Sequence, residues 1–208
     1  MPGAEAFVPA GADLAGLERA AAGCRGCELY RNATQTVFGD GDADARVVLM
    51  GEQPGDREDR QGKPFVGPAG KLLDRALDDA GVDRSRAYVT NAVKQFKFVR
   101  TEGGKRRIHE SPDRTEIVAC RPWLTAELDV IGPDVLVCLG ATAGQAVFGP
   151  SFRVTRQRGM RLEAPEPFSP DLVVLATVHP AAVLRSRDRT AMYDGLVSDL
   201  RVVAQALG

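Results

Sequence analysis

Apolar positions along the chain fall into two alternating patterns. Four short runs are nearly unbroken in β-branched and other apolar residues. They are Arg46-Val47-Val48-Leu49-Met50-Gly51, Ala87-Tyr88-Val89-Thr90-Asn91-Ala92, Asp134-Val135-Leu136-Val137-Cys138-Leu139-Gly140 and Leu172-Val173-Val174-Leu175-Ala176-Thr177-Val178. Runs of this length without polar alternation predict strands buried on both faces of a parallel sheet. Between them the spacing turns helical. Leu72, Leu73, Ala76, Leu77 and Ala80 form one stripe before a stop at Gly81, and Ile117, Trp123, Leu124, Leu128 and Ile131 form another that ends at Gly132-Pro133. Strand followed by helix, repeated, predicts an α/β protein: a three-layer α/β/α sandwich around a four-stranded parallel sheet.

At 208 residues one domain is expected over residues 13–208, with residues 1–12 poorly ordered. In this architecture ligands collect at the carboxyl ends of the strands. Three such ends lead into polar segments: Gly51-Glu52-Gln53-Pro54-Gly55-Asp56 after the first strand, the stretch from Lys94 after the second, and His179-Pro180-Ala181-Ala182-Val183-Leu184-Arg185 after the fourth.

Charge sharpens this picture locally. Lys+Arg total 27 against 28 Asp+Glu, a net charge of −1, which argues against gross attraction to a polyanion. Yet residues 94–107 hold six bases (Lys94, Lys97, Arg100, Lys105, Arg106, Arg107) against the single acid Glu102, a local surplus of +5. No apolar run reaches the roughly 18 residues of a membrane helix, and the N-terminus lacks the basic and apolar regions of a signal peptide. A soluble, cytoplasmic protein with no membrane partner is expected.

Four cysteines are too few for a disulfide scaffold, so clustered cysteines read first as metal ligands. Cys24-Arg25-Gly26-Cys27 is compatible with zinc, with an iron–sulfur cluster or with a redox dithiol; it follows the Ala-rich helical stretch 14–22 rather than a strand, which weakens the redox reading. Cys120 is a candidate third ligand, whereas Cys138 sits in a strand, where a thiol behaves as a small hydrophobe. His109 and His179 are the first acid–base candidates because an imidazole titrates near neutrality. Glu52 and Asp56 can orient or deprotonate an imidazole, Asn91 can read the edge of a base, and Phe65 can stack on one. Each also has a plain structural role open to it, as a turn, cap or core residue.

Together these residues resemble the uracil-DNA glycosylase superfamily, and within it the family 4 iron–sulfur branch. The match runs from Cys24-Arg25-Gly26-Cys27 and Thr36-Val37-Phe38-Gly39-Asp40-Gly41 through Gly51-Glu52-Gln53-Pro54-Gly55 and Gly62-Lys63-Pro64-Phe65-Val66-Gly67-Pro68-Ala69-Gly70. It continues with Tyr88-Val89-Thr90-Asn91-Ala92-Val93-Lys94, Cys120-Arg121-Pro122-Trp123-Leu124, Leu139-Gly140-Ala141-Thr142-Ala143 and His179-Pro180. One departure stands out. Where family 4 carries Lys-Cys-Arg-Pro-Pro, this chain has Lys94-Gln95-Phe96-Lys97-Phe98 and then Gly103-Gly104-Lys105-Arg106-Arg107-Ile108-His109-Glu110, as in the X-type subfamily.

The resemblance implies a uracil-DNA glycosylase fold and an enzyme that excises uracil from DNA and stays covalently bound through His109 to deoxyribose C1′. It assigns Glu52, His109, His179, Gln53 and Asp56 to catalysis, and Gly51, Gln53, Phe65, Asn91 and His179 to uracil. Lys94, Lys105, Arg106, Arg107, Leu184 and Arg185 are assigned to DNA. Cys24, Cys27 and Cys120 are implied as ligands of a 4Fe–4S cluster, with zinc as the lesser alternative. Cys138, Gln95 at the position of the missing family 4 cysteine, a histidine and solvent remain open for the fourth place. The implied partner is uracil-containing DNA, single strands preferred, bound by a monomer. A conventional turning-over glycosylase and a non-catalytic uracil- or single-strand-binding module stand as alternatives.

Overall fold

A computed structural model describes residues 3–101, 103 and 106–208. The expected phosphate contact at Lys105 therefore lies outside the described residues. In chain order the strands are β1 (Asp40–Gly41), β2 (Val47–Gly51), β3 (Ala87–Asn91), β4 (Phe98–Arg100), β5 (Arg107–His109), β6 (Val135–Leu139), β7 (Leu162–Glu163) and β8 (Val173–Thr177). The α-helices are α1 (Leu14–Ala21), α2 (Asp56–Gln61), α3 (Pro68–Ala80), α4 (Arg114–Ile131), α5 (Ala141–Phe148), α6 (Val154–Gln157), α7 (Pro180–Arg185) and α8 (Arg189–Leu207).

The four expected strands form the parallel centre of the sheet in the order β3-β2-β6-β8. The sheet is larger than the expected four strands. The two-residue strands β1 and β7 add antiparallel edges against β3 and β8, and β4 and β5 make a separate antiparallel hairpin. Strands of two residues carry no periodicity, which is why the sequence pattern does not register them.

Alternate residues of each central strand enter two cores, as double-sided burial requires. Val48, Met50, Tyr88, Leu136, Cys138, Val174 and Ala176 face one core with Leu17 of α1 and Trp123 and Leu124 of α4. Val47, Leu49, Val89, Val135, Val137 and Leu175 face the other with Leu73 and Leu77 of α3 and Leu196 and Leu200 of α8. Helix α4 is set by an Asp113/Glu116 capping box, in which each carboxylate accepts from the other residue's backbone N–H, and it ends at Gly132 in the left-handed conformation.

Of residues 1–12, expected to be poorly ordered, 1 and 2 lie outside the described residues, and Gly3 and Ala4 are hydrogen-bonded to the rest of the fold. Ala4 is buried and its N–H donates to the Ala119 carbonyl of α4 at 2.8 Å, while the Gly3 N–H donates to the carbonyl of Gly26. Among the described residues no helix is long and apolar enough to cross a membrane.

Candidate active site

Strand order reverses direction between β2 and β6: the chain crosses from β2 to β3 on one side and to β6 on the other. A cleft opens at the carboxyl end of such a switch point. It is a cavity of about 540 Å³, lined among others by Glu52, Gln53, Phe65, Asn91, His109, Thr142, His179 and Arg185. Residues more than a hundred positions apart converge there because four successive strand ends all point the same way.

The flat part of the pocket is built by close approach. A Cβ on Gly51 would lie 2.4 Å from Asn91 Oδ1 and 2.9 Å from Phe65 Cζ, so only glycine leaves room for the amide and the ring side by side. Phe65 itself adopts φ 56°, a left-handed conformation that a bulky residue takes only when its surroundings impose it. The N-terminal turn of α3 imposes it: a Cβ on Gly70 would fall 1.6 Å from the Phe65 carbonyl oxygen. The Phe65 ring stacks at 24° to the His179 imidazole, centroids 6.4 Å apart. An amide with both a donor and an acceptor beside an aromatic face suits a planar, hydrogen-bonding ligand.

His179 caps α7. Its Nδ1 accepts the Ala181 N–H at 3.1 Å, so the proton of the neutral ring sits on Nε2. Burial pushes its pKa down to about 4; the Arg185 and His109 charges act in the same direction, and Glu52 only partly opposes them. The imidazole is therefore neutral at pH 7 and is a hydrogen-bond donor through Nε2.

Glu52 lies between the two expected acid–base groups. Its Oε2 accepts from Thr142 Oγ1 at 2.5 Å. Its Oε1 is buried, has no hydrogen-bond partner among the described residues, and stands 3.5 Å from Nε2 of His109. Thr142, in the first turn of α5 after β6, was not among the expected site residues. Its signal was present in the Leu139-Gly140-Ala141-Thr142-Ala143 strand end.

His109 arrives on the β4–β5 hairpin, paired with Phe98 and half exposed at the mouth of the cavity. Two residues expected to act elsewhere hold this hairpin down. Arg107, expected on DNA phosphates, is turned inward: its guanidinium donates to Asp56 Oδ1 (2.5 Å), Asp59 Oδ2 (2.6 Å) and Thr34 Oγ1 (3.1 Å) and lies over the Phe96 and Phe98 rings. Asp56, expected in catalysis, is outside the cavity lining and serves Arg107 and Arg60. Burial works to raise its pKa, but the hydrogen bonds and charges of Arg60 and Arg107 prevail and hold the carboxyl below its usual range. Gln53 lines the cavity, and its side chain is spent on the hairpin base. Oε1 accepts from the Lys97 N–H, and Nε2 donates to the carbonyls of Lys97 and Glu110.

Lys94 is the other basic residue that the fold withdraws from the surface. Only 1% exposed, its ammonium ion-pairs with Glu127 Oε2 at 2.5 Å and also donates to Thr90 Oγ1 and the Asn91 carbonyl. Lys97 pairs with Glu116 and Asp113. Of the local surplus seen in the sequence, Lys94, Lys97 and Arg107 are thus met by carboxylates from elsewhere in the chain. Of that segment's described residues, Arg100 and Arg106 remain exposed and outside ion pairs. Arg185 is exposed at the cavity rim, one residue beyond the partly buried Leu184.

Three of the four cysteines meet. Cys24, Cys27 and Cys120 line one small cavity, of about 10 Å³, with Gln95, Thr36, Lys94 and Trp123. Cys138 is not there: it is fully buried in β6, and burial raises its thiol pKa strongly, so this candidate for the fourth place is a core residue. N–H groups already donate to two of the other sulfurs. Trp123 Nε1 (3.3 Å) and the Gly26 N–H (3.5 Å) donate to Cys24, and the Lys94 N–H (3.3 Å) donates to Cys120. Burial pushes the Cys120 thiol up to about 12, the Lys94 charge opposing it.

Among the described residues no three His, Cys, Asp or Glu side chains gather around a single ion-sized point, the geometry that tetrahedral zinc demands. Three thiols, two of them with N–H donors on their sulfurs, together with a buried amide oxygen at Gln95 that lacks a partner among the described residues, match in kind the donor set of an iron–sulfur cluster. Apart from Ala119, Cys120 and Trp123 of α4, the lining of this cavity comes from segments that are neither helix nor strand: Ala4, the Cys24–Cys27 loop, Thr36 and the turn from Val93 to Gln95.

Comparison with known proteins agrees with this geometry. The profile of the Uracil DNA glycosylase superfamily matches residues 38–201. A type-4 uracil-DNA glycosylase of Thermotoga maritima is 38% identical over 165 residues, covering 79% of each chain. Those of Archaeoglobus fulgidus and Sulfurisphaera tokodaii are each 34% identical, over 189 residues (89% of this chain, 88% of the relative) and 166 residues (77% and 71%). Sheet order, a cleft at the switch point and these matches lead to one conclusion: the chain belongs to the uracil DNA glycosylase superfamily.

Proposed function

We propose that this protein excises uracil from DNA and that His109 then captures the sugar, ending in a covalent protein–DNA adduct. The excision half of this reading is supported by family membership and by relatives named as uracil-DNA glycosylases. The trapping half is carried by one observation: the Nε2 of a half-exposed histidine at the cavity mouth stands 3.5 Å from the unpartnered oxygen of a buried carboxylate.

A flipped uracil would lie against Phe65 with its edge on Asn91, after unstacking that costs a few kcal/mol in a duplex and less in a single strand. We therefore take single-stranded DNA as the preferred substrate and a monomer as the acting species. As the C1′–N1 bond breaks, its electron pair goes to uracil, whose carbonyl oxygen gains charge. The Nε2–H of neutral His179 donates to that oxygen, where a fixed donor lowers the barrier most. C1′ becomes oxocarbenium-like, and the Glu52 carboxylate offsets that positive charge.

The lone pair of one imidazole nitrogen of His109 forms the new N–C1′ bond, and Glu52 takes the proton left on the ring. Glu52 also holds the imidazole in place, since Thr142 occupies only one of its oxygens. Arg185 at the cavity rim and Arg106, just before β5, serve as phosphate contacts, with Leu184, next to Arg185 in the chain, as the apolar wedge. Cys24, Cys27 and Cys120 would hold a 4Fe–4S cluster, which supplies a structural tie between the N-terminal segment and α4 rather than a reaction step.

The test is a denaturing gel of the protein mixed with uracil-containing single-stranded DNA. A shifted band that survives denaturant is expected. Free abasic strand with unmodified protein would leave an ordinary glycosylase, and intact uracil would leave a binding module.

A further inference from the structure

Gln95 lines the cysteine cavity and is 7% exposed. The orientation of its amide is fixed by its neighbours. Thr36 Oγ1 donates its only proton to the Ala21 carbonyl at 3.0 Å, so toward Gln95 it can only accept, and it accepts from Nε2 at 3.4 Å. The amide oxygen is thereby left as the free end. Oε1 is buried and has no hydrogen-bond partner among the described residues, one of only three side-chain atoms there in that position. A buried carbonyl oxygen without a donor forfeits its hydration with nothing in return. Such an orphan beside three thiols points to a partner that is neither protein nor bulk water.

We propose that Gln95 Oε1 is the fourth protein ligand of the cluster, so that three irons are held by thiolates and one by a neutral amide oxygen. The inference rests on the reading that Cys24, Cys27 and Cys120 carry a 4Fe–4S cluster. Its chemical consequence follows from the donor types. Thiolate is soft and anionic and suits iron in a sulfide cluster, whereas an amide oxygen is hard and neutral and binds it weakly. The iron at Gln95 is therefore the labile one, and the bonded oxygen keeps the chain from 94 to 97, and with it the hairpin base, seated against α4. No other described side chain of the cavity offers an unpartnered acceptor.

The test uses the full-length protein purified without oxygen, alongside Gln95→Cys and Gln95→Leu. Iron and acid-labile sulfide are assayed first. Their absence from the native protein would defeat the cluster reading itself, independently of Gln95. With the cluster present, ferricyanide is added as oxidant: it takes one electron from the 2+ core, and the resulting 3+ core sheds Fe2+ to leave a 3Fe–4S core of charge 1+.

The native protein should lose one iron per cluster and give the electron paramagnetic resonance signal of the 3Fe–4S form. Gln95→Cys, with a thiolate in that place, should keep all its iron under the same conditions. Gln95→Leu should arrive already short of that iron or lose it without oxidant. A native protein as resistant as Gln95→Cys would overturn the proposal. So would a Gln95→Leu protein that loses iron at the native rate, because solvent would then be filling the fourth place. None of these readouts depends on activity toward DNA.

Discussion

Arg107→Ala separates two roles for this arginine with one set of measurements. The side chain is 8% exposed and makes charge-assisted hydrogen bonds of 2.5 Å to Asp56 and 2.6 Å to Asp59, the latter fully buried. Truncation leaves the Asp59 carboxylate buried with only the Thr34 N–H at 2.9 Å as donor. Breaking one side of a buried pair costs about 3–5 kcal/mol, a large fraction of the roughly 5–15 kcal/mol that holds a domain together. If the hairpin lifts instead and lets water reach Asp59, the global loss is smaller but His109 is no longer held at the cavity.

Urea unfolding and adduct yield on uracil-DNA should therefore both fall. Arg107→Lys should recover only part of either, because one ammonium cannot bridge two carboxylates and lie over two aromatic rings. The salt dependence of DNA affinity, by contrast, should keep its slope. A phosphate ligand would behave in the opposite way: unchanged stability, and a slope lower by about one counterion. That outcome would refute the inward clamp.

Other expectations follow from the same contacts. Thr142→Val removes the donor to Glu52 Oε2; a hydrogen bond to a charged group is worth about 1.5–3 kcal/mol, so adduct formation should slow roughly 10- to 100-fold while affinity for uracil-DNA stays near native, as single-turnover kinetics and an abasic-analogue titration would show. Lys94→Met should cost about 3–5 kcal/mol in denaturant unfolding, since Glu127 is fully buried and would keep only the Tyr88 and Thr90 hydroxyls. His179 supplies the pH dependence. With a folded pKa of about 4 against an ordinary 6.5, the unfolded chain takes up a proton that the native state refuses between those values, so stability falls as pH drops through that window. Relative to a non-titrating His179→Gln variant, the native protein should lose about 3 kcal/mol between pH 7 and pH 4, each pKa unit being worth about 1.4 kcal/mol. Excision that depends on neutral His179 should keep its His179 contribution down to about pH 5.

What could be read from the sequence was decided by periodicity and by local spacing. Double-sided burial leaves a mark in the chain, so β2, β3, β6 and β8 were visible, and with them the strand ends that bring Glu52, Asn91 and His179 together. Phe65 was legible as an aromatic able to stack on a base and Gly51 through the family resemblance, whereas the close approach that requires glycine at 51 shows only in the fold. Edge strands of two residues, and an N-terminal segment held by the Ala4–Ala119 hydrogen bond, leave no such mark.

The charged residues misled for a different reason. Arg107 and Lys94 read as a phosphate surface because their partners Asp59 and Glu127 lie 48 and 33 positions away, and only the tertiary fold reveals the pairing. Asp56 was drawn from catalysis into the same pairing. Cys138 was plausible by residue type alone; its strand register sends it into the core that also holds Cys120, beside Leu136 and Ala176 and outside the cavity that the other three cysteines line.

Capture of C1′ by His109, and not by water, is read most directly by peptide mass spectrometry of the protein after incubation with a uracil-containing single strand, run beside His109→Ser. A deoxyribose-linked nucleotide is expected on the peptide carrying His109, absent in the variant, which still releases uracil. Released uracil with no modified peptide in the native protein, or modification at another residue that persists in His109→Ser, would contradict it.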